Sequence, residues 1–334
     1  MAGHTPYVVP TIAELTAGAT DRVQLAPQDA RSGAFFERLR IDGRPRFLKV
    51  LSADDDWIMR VTGNDRHWEL LAWQAGLYDA VPDVIDHTVL GMALEGTGAT
   101  ARLGILMDDC SGCLVPSGDA VLPASQHARF IEHLAAMHAA HLGWTDTIGL
   151  QELARRFLFF APETIAPELL HEQVPGPVRV AAQGWSLLPG RAGDLHRLVT
   201  DVHADPGPLA DALRATPSTF VAGDWKLGNL GSRPDGRTIL LDWAYPGQAP
   251  PCWELAWYLA LNRARIPESK ERTILRYRDA LERHGVDTTG WWDRQLGLCL
   301  LGIMATFAWE KAVGDAGELA WWVRAAVDGA RWLE

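Results

Sequence analysis

One short stretch of the sequence, residues 221–243, constrains the chain more than any other. Two apolar, strand-like runs flank a polar loop that contains Asp224, Lys226 and Asn229, and Asp242 follows the second run. A buried strand that ends in a carboxylate costs free energy unless that carboxylate meets a cation. Carboxylate and amide oxygens suit Mg²⁺, which also keeps waters and binds phosphates. The stretch therefore predicts a magnesium and phosphate site built around a short hairpin.

The spacing of these polar residues matches an arrangement used for phosphoryl transfer. In that arrangement one Asp accepts the proton of a hydroxyl, an Asn and a second Asp hold the metal, and a Lys lies near the phosphates. A plain hairpin is the alternative, because Asp and Asn are common turn residues. The joint occurrence of Asp224, Lys226, Asn229 and Asp242 at this spacing favours phosphoryl transfer.

The stretch resembles the catalytic loop of the aminoglycoside phosphotransferase family, small-molecule kinases that share the protein-kinase-like fold. That loop usually reads His-Gly-Asp-x-x-x-x-Asn, and here Ala-Gly-Asp-Trp-Lys-Leu-Gly-Asn runs from Ala222 to Asn229. The resemblance implies that Asp224 is the catalytic base and that Lys226 neutralises charge on the transferred group. It also implies that Asn229 and Asp242 bind Mg²⁺.

The family histidine, whose role is mainly to shape the loop, is replaced by Ala222 in this chain. Two interpretations follow. Either the neighbouring side chains of Val221, Trp225 and Leu227 hold the loop instead, or the chain is a nucleotide-binding protein of the same fold with impaired catalysis. The intact polar residues of the loop, Asp224 among them, favour an active enzyme.

The N-terminal part of the chain predicts a β-rich lobe. Strand-like runs at 34–41 and 46–51 flank Asp42-Gly43, a strong hairpin signal. Lys49 lies between apolar residues on one strand face, so it either needs an anionic partner or protects a sheet edge from aggregation. The resemblance implies the first role, in which Lys49 holds the α- and β-phosphates of ATP.

A helix is predicted from about Asn64 to Leu77, with Asn64 or Asp65 as its cap. Glu69 is the only Glu on this helix. The resemblance implies that Glu69 forms an ion pair with Lys49. Without the resemblance, Glu69 would be an ordinary solvated helix residue.

Further nucleotide contacts are implied by the resemblance alone. The family's glycine-rich loop would fall at residues 31–34, so backbone amides near Ser32 and Gly33 would cover the phosphates. The strand that ends before Asp108 would lead into a hinge between lobes, where backbone groups near Asp108 and Cys110 would meet the adenine edge. The implied cofactors are ATP, or GTP as an alternative, and Mg²⁺.

The remainder of the chain predicts a mostly helical lobe, with prolines that include Pro189 breaking the helices of residues 152–216. Further helices are predicted at residues 252–263, 270–284, 291–313 and 318–333. The family often has an Asp that tethers the catalytic loop, and Glu254 occupies that position. His138 and His141 lack a third metal ligand nearby, so they are expected to pack in the core.

Composition and charge limit the classes of function. A net charge of −11 argues against nucleic-acid binding. Cys110 and Cys113 form a lone Cys-x-x-Cys without the second pair that a zinc site needs, so reduced thiols in a cytoplasmic protein are expected. No signal peptide is predicted, and the apolar stretch 296–309 is shorter than the ~20 residues of a membrane span. No membrane partner is expected.

These observations predict an α+β, two-lobed protein-kinase-like fold, with a small antiparallel-sheet lobe at residues 1–107 and a large helical lobe at 108–334. The expected reaction transfers the γ-phosphoryl group of ATP to a hydroxyl of a small molecule, such as an aminoglycoside-like antibiotic, a sugar or an amino alcohol. A protein kinase is the other alternative, but Pro251, where the next helix begins, follows nine residues after Asp242. That spacing leaves little room for an activation segment.

Overall fold

The computed structural model describes residues 7–25 and 32–333. The chain divides into two compact units. The first unit comprises Met1–Gly118 and Leu227–Ala244, and the second comprises Asp119–Lys226 and Tyr245–Glu334. The predicted boundary after residue 107 differs from this division, because the hairpin at 227–244 belongs to the first unit.

Strands dominate the first unit and helices the second. The strands are β1 (Val8–Val9), β2 (Thr20–Leu25), β3 (Phe35–Ile41), β4 (Arg44–Ser52), β5 (Ile85–Asp86), β6 (Val89–Glu95), β7 (Arg102–Asp108), β8 (Thr219–Val221), β9 (Leu230–Ser232), β10 (Thr238–Leu240) and β11 (Gly247–Ala249). The helices are α1 (Ile12–Leu15), α2 (Trp57–Thr62), α3 (Trp68–Gln74), α4 (Ala124–Ala140), α5 (Leu153–Arg156), α6 (Pro162–Ile165), α7 (Gly176–Arg191), α8 (Gly193–Ala204), α9 (Gly207–Arg214), α10 (Pro251–Asn262), α11 (Lys270–Arg283), α12 (Trp292–Val313) and α13 (Ala316–Ala330).

The first unit contains a six-stranded sheet in the order β1-β6-β7-β4-β3-β2. The predicted hairpin between β3 and β4 is confirmed, and both turn residues, Asp42 and Gly43, have a positive φ (51° and 71°), as a tight hairpin turn requires. Lys49 lies on β4, a strand paired on both sides, where it faces Phe36 on β3 and Ile105 on β7. The sheet-edge interpretation of Lys49 is therefore wrong.

The two faces of β4 bury different kinds of side chain. On one face Leu48 and Val50 join an apolar cluster with Leu15 of α1, and α1 begins where Thr11 accepts a hydrogen bond from the Glu14 N–H. Since side chains alternate along a strand, Lys49 points to the opposite face. This alternation places a single ammonium group on a buried face of the sheet.

The hairpin of β9 and β10 joins the first unit through a smaller sheet, in the order β5-β10-β9. Arg233 in the hairpin turn binds Asp86 of β5 (Nε to Oδ2, 2.7 Å). Trp243, beyond β10, stacks on Tyr78 with ring centroids 4.2 Å apart. These contacts explain why residues so late in the chain pack with the N-terminal sheet.

The second unit is organised around α12, which packs against α7, α8, α10 and α13. By length and composition α12 is the one membrane-span candidate within residues 7–25 and 32–333, but 78% of its apolar window is buried. The helix is longer than the stretch 296–309 on which the sequence prediction relied, so burial rather than length identifies it as a core helix.

The predicted C-terminal helices are confirmed with small shifts at their ends. α13 begins earlier than predicted because Asp315 accepts a hydrogen bond from the Glu318 N–H and caps the helix. The predicted break at Pro189 is wrong, since α7 continues through it to Arg191. Pro189 lies in the last turn of α7, two residues before the helix ends at Arg191.

Lys311 on α12 is a charged residue inside this core. Its Nζ donates to the Ala260 carbonyl oxygen (2.6 Å) and lies 5.4 Å from the ring centroid of Trp322. Glu318 Oε1 is 3.6 Å away. Desolvation is the main cause that lowers the pKa of Lys311 to about 7, while Glu318 opposes the shift.

We expect Lys311→Met to change how stability depends on pH. Between about pH 7 and pH 10 the unfolded wild-type chain binds a proton that the folded chain has released, so its free energy of unfolding rises with pH. Relative to the variant, the wild type should gain at most about 1.4 kcal/mol per pH unit over this range. Urea denaturation at several pH values measures the difference, and a difference independent of pH would contradict the buried, depressed lysine.

Candidate active site

In the first unit, Lys49 lies among carboxylates. Its Nζ is 2.5 Å from Asp242 Oδ1. Desolvation, the largest single effect, lowers the pKa of Lys49, but the charges of Asp242, Glu69 and Asp56 outweigh it and the net pKa is raised. Lys49 therefore keeps a positive charge at neutral pH although it is buried.

Glu69 lies on α3, as predicted, and is buried rather than solvated. Its carboxylate accepts a hydrogen bond from Asn64 Nδ2 (3.0 Å), and Asn64 Oδ1 accepts one from the Trp68 N–H (2.8 Å). Burial raises the pKa of Glu69 to about 7, and Lys49 opposes the shift. The predicted ion pair needs correction: the ammonium of Lys49 pairs directly with Asp242, and Glu69 is a further neighbour whose charged form raises the pKa of Lys49.

The helix that carries Glu69 is shorter than predicted. α3 begins at Trp68 instead of Asn64, because Asn64 acts from four residues earlier as the acceptor for the first helical N–H. His67 between them adopts a positive φ of 53°. The side chain that caps the helix is thus the same one that holds the Glu69 carboxylate.

Asp242 follows β10 in a left-handed backbone conformation, with φ 54°. Such a conformation is uncommon for residues other than glycine and is concentrated at functional sites. The Leu241 N–H donates to the Asn229 carbonyl oxygen (2.9 Å), which joins the two predicted metal-binding segments. Asn229 is buried, whereas the Asp242 side chain is 33% exposed to solvent.

The donor set of Asn229 and Asp242 fits Mg²⁺. One amide oxygen and one carboxylate come from adjoining segments of the hairpin, and Mg²⁺ is commonly held by one or two such ligands with waters and phosphates. Within residues 7–25 and 32–333, no group of three or more His, Cys, Asp or Glu side chains is arranged to hold a metal.

Ser32 and Gly33 lie beside the segment that leads into α2. A Cβ atom at Gly33 would lie 1.7 Å from the Asp55 carbonyl oxygen, so only glycine fits there. Asp56 caps α2 by accepting from the Ile58 N–H (2.8 Å). The expected contact of Ser32 and Gly33 with phosphates stays a prediction, and Arg31 lies outside the described residues.

Asp108 is the last residue of β7, and Cys110 lies two residues beyond it. The Asp108 side chain pairs with Arg46, and its N–H donates to the Thr88 carbonyl oxygen (3.0 Å). The Cys110 carbonyl oxygen accepts from the Cys113 N–H (2.8 Å), and burial raises the pKa of the Cys110 thiol to about 11. The thiol is therefore neutral, and the expected adenine contact of this backbone stays a prediction.

In the second unit, Asp224 is buried and both of its carboxylate oxygens have donors. Trp257 Nε1 donates to Oδ1 (2.9 Å), and Lys226 Nζ lies 2.6 Å from Oδ2. The Lys226 side chain is 37% exposed, whereas Asp224 is almost inaccessible. The two donors fix the orientation of the carboxylate.

The loop that carries Asp224 is anchored through its backbone. Gly223 has φ 91°, and a Cβ atom there would lie 2.1 Å from the Tyr245 carbonyl oxygen, so the loop needs glycine. The Gly223 N–H donates to Glu254 Oε1 (2.6 Å). The tether predicted for Glu254 is therefore confirmed.

Trp257 is the contact of Asp224 that sequence reasoning missed. The sequence contains fifteen Trp residues, and α10 is buried on nearly all sides, so no periodic pattern marks which Trp reaches the loop. Trp257 packs in an aromatic cluster, stacked on Phe159 (centroids 6.4 Å apart) and edge-on to Phe307 (4.9 Å). The cluster fixes the indole and hence the direction of its N–H.

The sequence matches no protein-family model and no curated protein. Solved structures of small-molecule kinases do match over nearly the whole chain. A microcompartment-associated aminopropanol kinase aligns with a TM-score of 0.56 at 13% identity, over 95% of this chain and 93% of its own. Spectinomycin phosphotransferase in complex with ADP and spectinomycin gives a TM-score of 0.49 at 12% identity (92% and 88% coverage). A choline kinase from Streptococcus pneumoniae gives 0.46 at 14% identity (95% and 96% coverage).

The match to the aminopropanol kinase confirms the predicted α+β, protein-kinase-like fold. Since a fold hosts more than one function, activity has to be argued from the site.

We expect Asp242→Asn to destabilise the first unit. Asn tolerates a positive φ, so this change removes the direct counter-charge of Lys49 and keeps the backbone conformation. The free energy of unfolding should fall by about 1–3 kcal/mol, as for a lost hydrogen bond to a charged group. Denaturation in urea measures the effect.

The matched control is Asp235→Asn, in the turn of the same hairpin, whose carboxylate pairs with Arg237 and is 54% exposed. Exposed pairs contribute little, so a change within about 0.5 kcal/mol is expected. Equal effects of the two substitutions would show that the Lys49–Asp242 pair does not stabilise the fold.

Proposed function

We propose that this chain, which has the fold of small-molecule kinases, transfers the γ-phosphoryl group of ATP to a hydroxyl of a small molecule. The observation that carries the proposal is the pair of the buried Lys49 and the partly buried Asp242, 193 residues apart in sequence. Kinases of this fold need a strand lysine for the phosphates and a carboxylate for the metal. A pair of this kind, with Glu69 as a further charge, supports that use over a purely structural role.

The roles of the residues follow from their chemistry. Lys49 would hold the phosphates, and Asn229 and Asp242 would hold Mg²⁺. When bound, Mg²⁺ neutralises charge on the phosphates. Backbone groups near Ser32 and Gly33 would contact phosphates.

Backbone groups near Asp108 and Cys110 would bind the edge of the adenine base. GTP is the alternative phosphoryl donor. The four cysteines are free thiols, of which three are buried, and this is typical of a reducing, cytoplasmic environment.

Asp224 is the proposed base that orients the acceptor hydroxyl and takes its proton. A base of this kind must be held in one orientation, since phosphoryl transfer depends mainly on positioning and electrostatics. The donors Trp257 and Lys226 supply that restraint. Lys226 is also the more exposed partner, which suits its proposed second role of neutralising charge on the transferred group.

The alternative, a nucleotide-binding protein with impaired catalysis, rested on Ala222 and on the poor match of residues 31–34 to a glycine-rich loop. The hydrogen bond from Gly223 to Glu254 anchors the loop without a histidine at that position, and this supports an active enzyme. The proposed acceptors remain aminoglycoside-like antibiotics, sugars and amino alcohols.

The first experiment screens these acceptors with Mg-ATP and Mg-GTP and measures release of the nucleoside diphosphate. Asp224→Asn should reduce turnover about a hundred-fold or more, as expected for loss of a positioned base. The control is Asp211→Asn, an exposed carboxylate paired with Arg214 in the same unit, which should leave turnover unchanged. Acceptor-dependent release that survives Asp224→Asn would contradict the assigned base, and no release with any acceptor would favour the nucleotide-binding alternative.

A second experiment addresses Trp257. Trp257→Phe keeps an aromatic ring in the cluster but removes the N–H that orients Asp224 Oδ1, so kcat should fall about ten-fold or more. Trp309→Phe is the control, because the Trp309 N–H donates to the Thr306 carbonyl oxygen (2.9 Å) instead. Equal kcat values for the two variants would mean that the indole N–H does not assist Asp224.

A further inference from the structure

Gly33, in the segment before β3, is a glycine that its surroundings require. Its φ lies outside the left-handed range in which glycine is favoured, so its backbone conformation does not explain it. A Cβ atom at this position would lie 1.7 Å from the Asp55 carbonyl oxygen and 3.1 Å from the Asp56 nitrogen. Glycine is needed because the segment packs directly against the peptide group between Asp55 and Asp56.

That peptide group belongs to a turn, residues 52–56, which hydrogen bonds hold on two sides. The carbonyl oxygen of Ser52, the last residue of β4, accepts from the N–H groups of Asp55 (3.1 Å) and Asp56 (2.8 Å). From α2, the guanidinium of Arg60 donates to two further carbonyl oxygens of the turn (2.8 and 2.9 Å). The turn therefore has a fixed position relative to β4.

The side chain of Asp56 joins this turn to α2. Its Oδ1 accepts from the N–H groups of Ile58 (2.8 Å) and Met59 (3.3 Å), which the helix itself leaves without partners. The residue is only 2% exposed. Desolvation raises the pKa of Asp56, while Lys49 and Ser32 oppose the shift. The carboxyl group thus lies close to the buried ammonium group and to the segment before β3.

The segment of residues 32–34 has little else to hold it. The ladder between β3 and β4 begins at the pair of Phe35 and Val50, so the segment lies beyond it. The Ala34 N–H donates to Ser32 Oγ (3.3 Å), a contact within the segment itself. A backbone that covers phosphates must keep its N–H groups in fixed directions. The contact with the turn supplies a restraint that the strand ladder does not.

We propose that Asp56 is a positioning residue of the nucleotide site: by capping α2 it fixes the turn against which Gly33 packs, and this contact places the backbone amides of residues 32–34 over the phosphates. The inference rests on the proposed nucleotide binding only where it concerns affinity. The contact between the segment and the turn is a separate claim that can be measured on the protein without nucleotide.

The test changes this contact from each side and measures the Kd of ADP with Mg²⁺ by calorimetry. Asp56→Ala removes the cap, and Gly33→Ala places a methyl group where the Asp55 carbonyl oxygen lies. Each substitution should raise Kd about ten-fold, as for loss of a hydrogen bond to a charged group. Because both act on one contact, the double variant should also bind about ten-fold more weakly, whereas independent effects would give about a hundred-fold.

Two further variants separate the contact from the charge of Asp56. Asp56→Asn keeps a good N-cap acceptor but removes the charge, and its Kd should stay within about two-fold of the wild type. Asp54→Ala removes an exposed carboxylate from the same turn and should also change Kd less than about two-fold. If the effects of Gly33→Ala and Asp56→Ala are independent, or if the Asn variant binds as weakly as the Ala variant, the proposal is wrong.

Amide hydrogen exchange at Ala34 in the nucleotide-free protein decides the claim about the contact. The Leu48 amide in β4 serves as the reference for opening of the whole sheet. Faster exchange at Ala34 in Asp56→Ala than in Asp56→Asn, relative to Leu48, supports the anchoring role, and equal rates overturn it. If the wild type binds no nucleotide, the proposed function fails while this measurement still decides whether Asp56 anchors the segment.

Discussion

The first unit depends on a buried ammonium group that must meet negative charge. Lys49 lies in the middle of a strand paired on both sides, so its side chain has no route along the sheet edge to water. The ion pair with Asp242 supplies the counter-charge of Lys49 and joins β4 to a hairpin from much later in the chain. Removing Asp242 would leave the buried ammonium without its direct counter-charge, which costs free energy. The ion pair thus commits the N-terminal sheet and the late hairpin to one compact unit.

The second unit applies the same physical rule to two buried carboxylates with different tasks. Asp224 is oriented by an indole N–H and an ammonium group, whereas Glu254 is held by a backbone N–H and an imidazole. The first carboxylate has a partly exposed lysine as a partner. The second has only completely buried partners, as a structural anchor requires. The proposed base and its support are therefore distinguished by the exposure of their partners.

Local rules made much of this structure predictable. The Asp-Gly hairpin, the apolar period of the long helices and the spacing of the polar residues from Asp224 to Asp242 all depend on neighbours in sequence, and the fold they indicated is the one found. The predicted helix boundaries were wrong where a capping side chain or a proline near the end of a helix was decisive. Asn64 caps α3 from outside the helix, and Pro189 falls where α7 is about to end. Boundaries of this kind are set by single hydrogen bonds that the periodic pattern does not encode.

The sequence by itself determined which chemical groups are present and which of them share a loop, a strand or a helix face. Only the tertiary structure decided their partners: Asp242 rather than Glu69 for Lys49, Trp257 for Asp224, and His138 for Glu254. These contacts join residues 193, 33 and 116 positions apart. Each is selected by the packing of whole helices and strands, because a buried charge takes whichever donor or counter-charge the fold brings within reach. No local pattern records that choice.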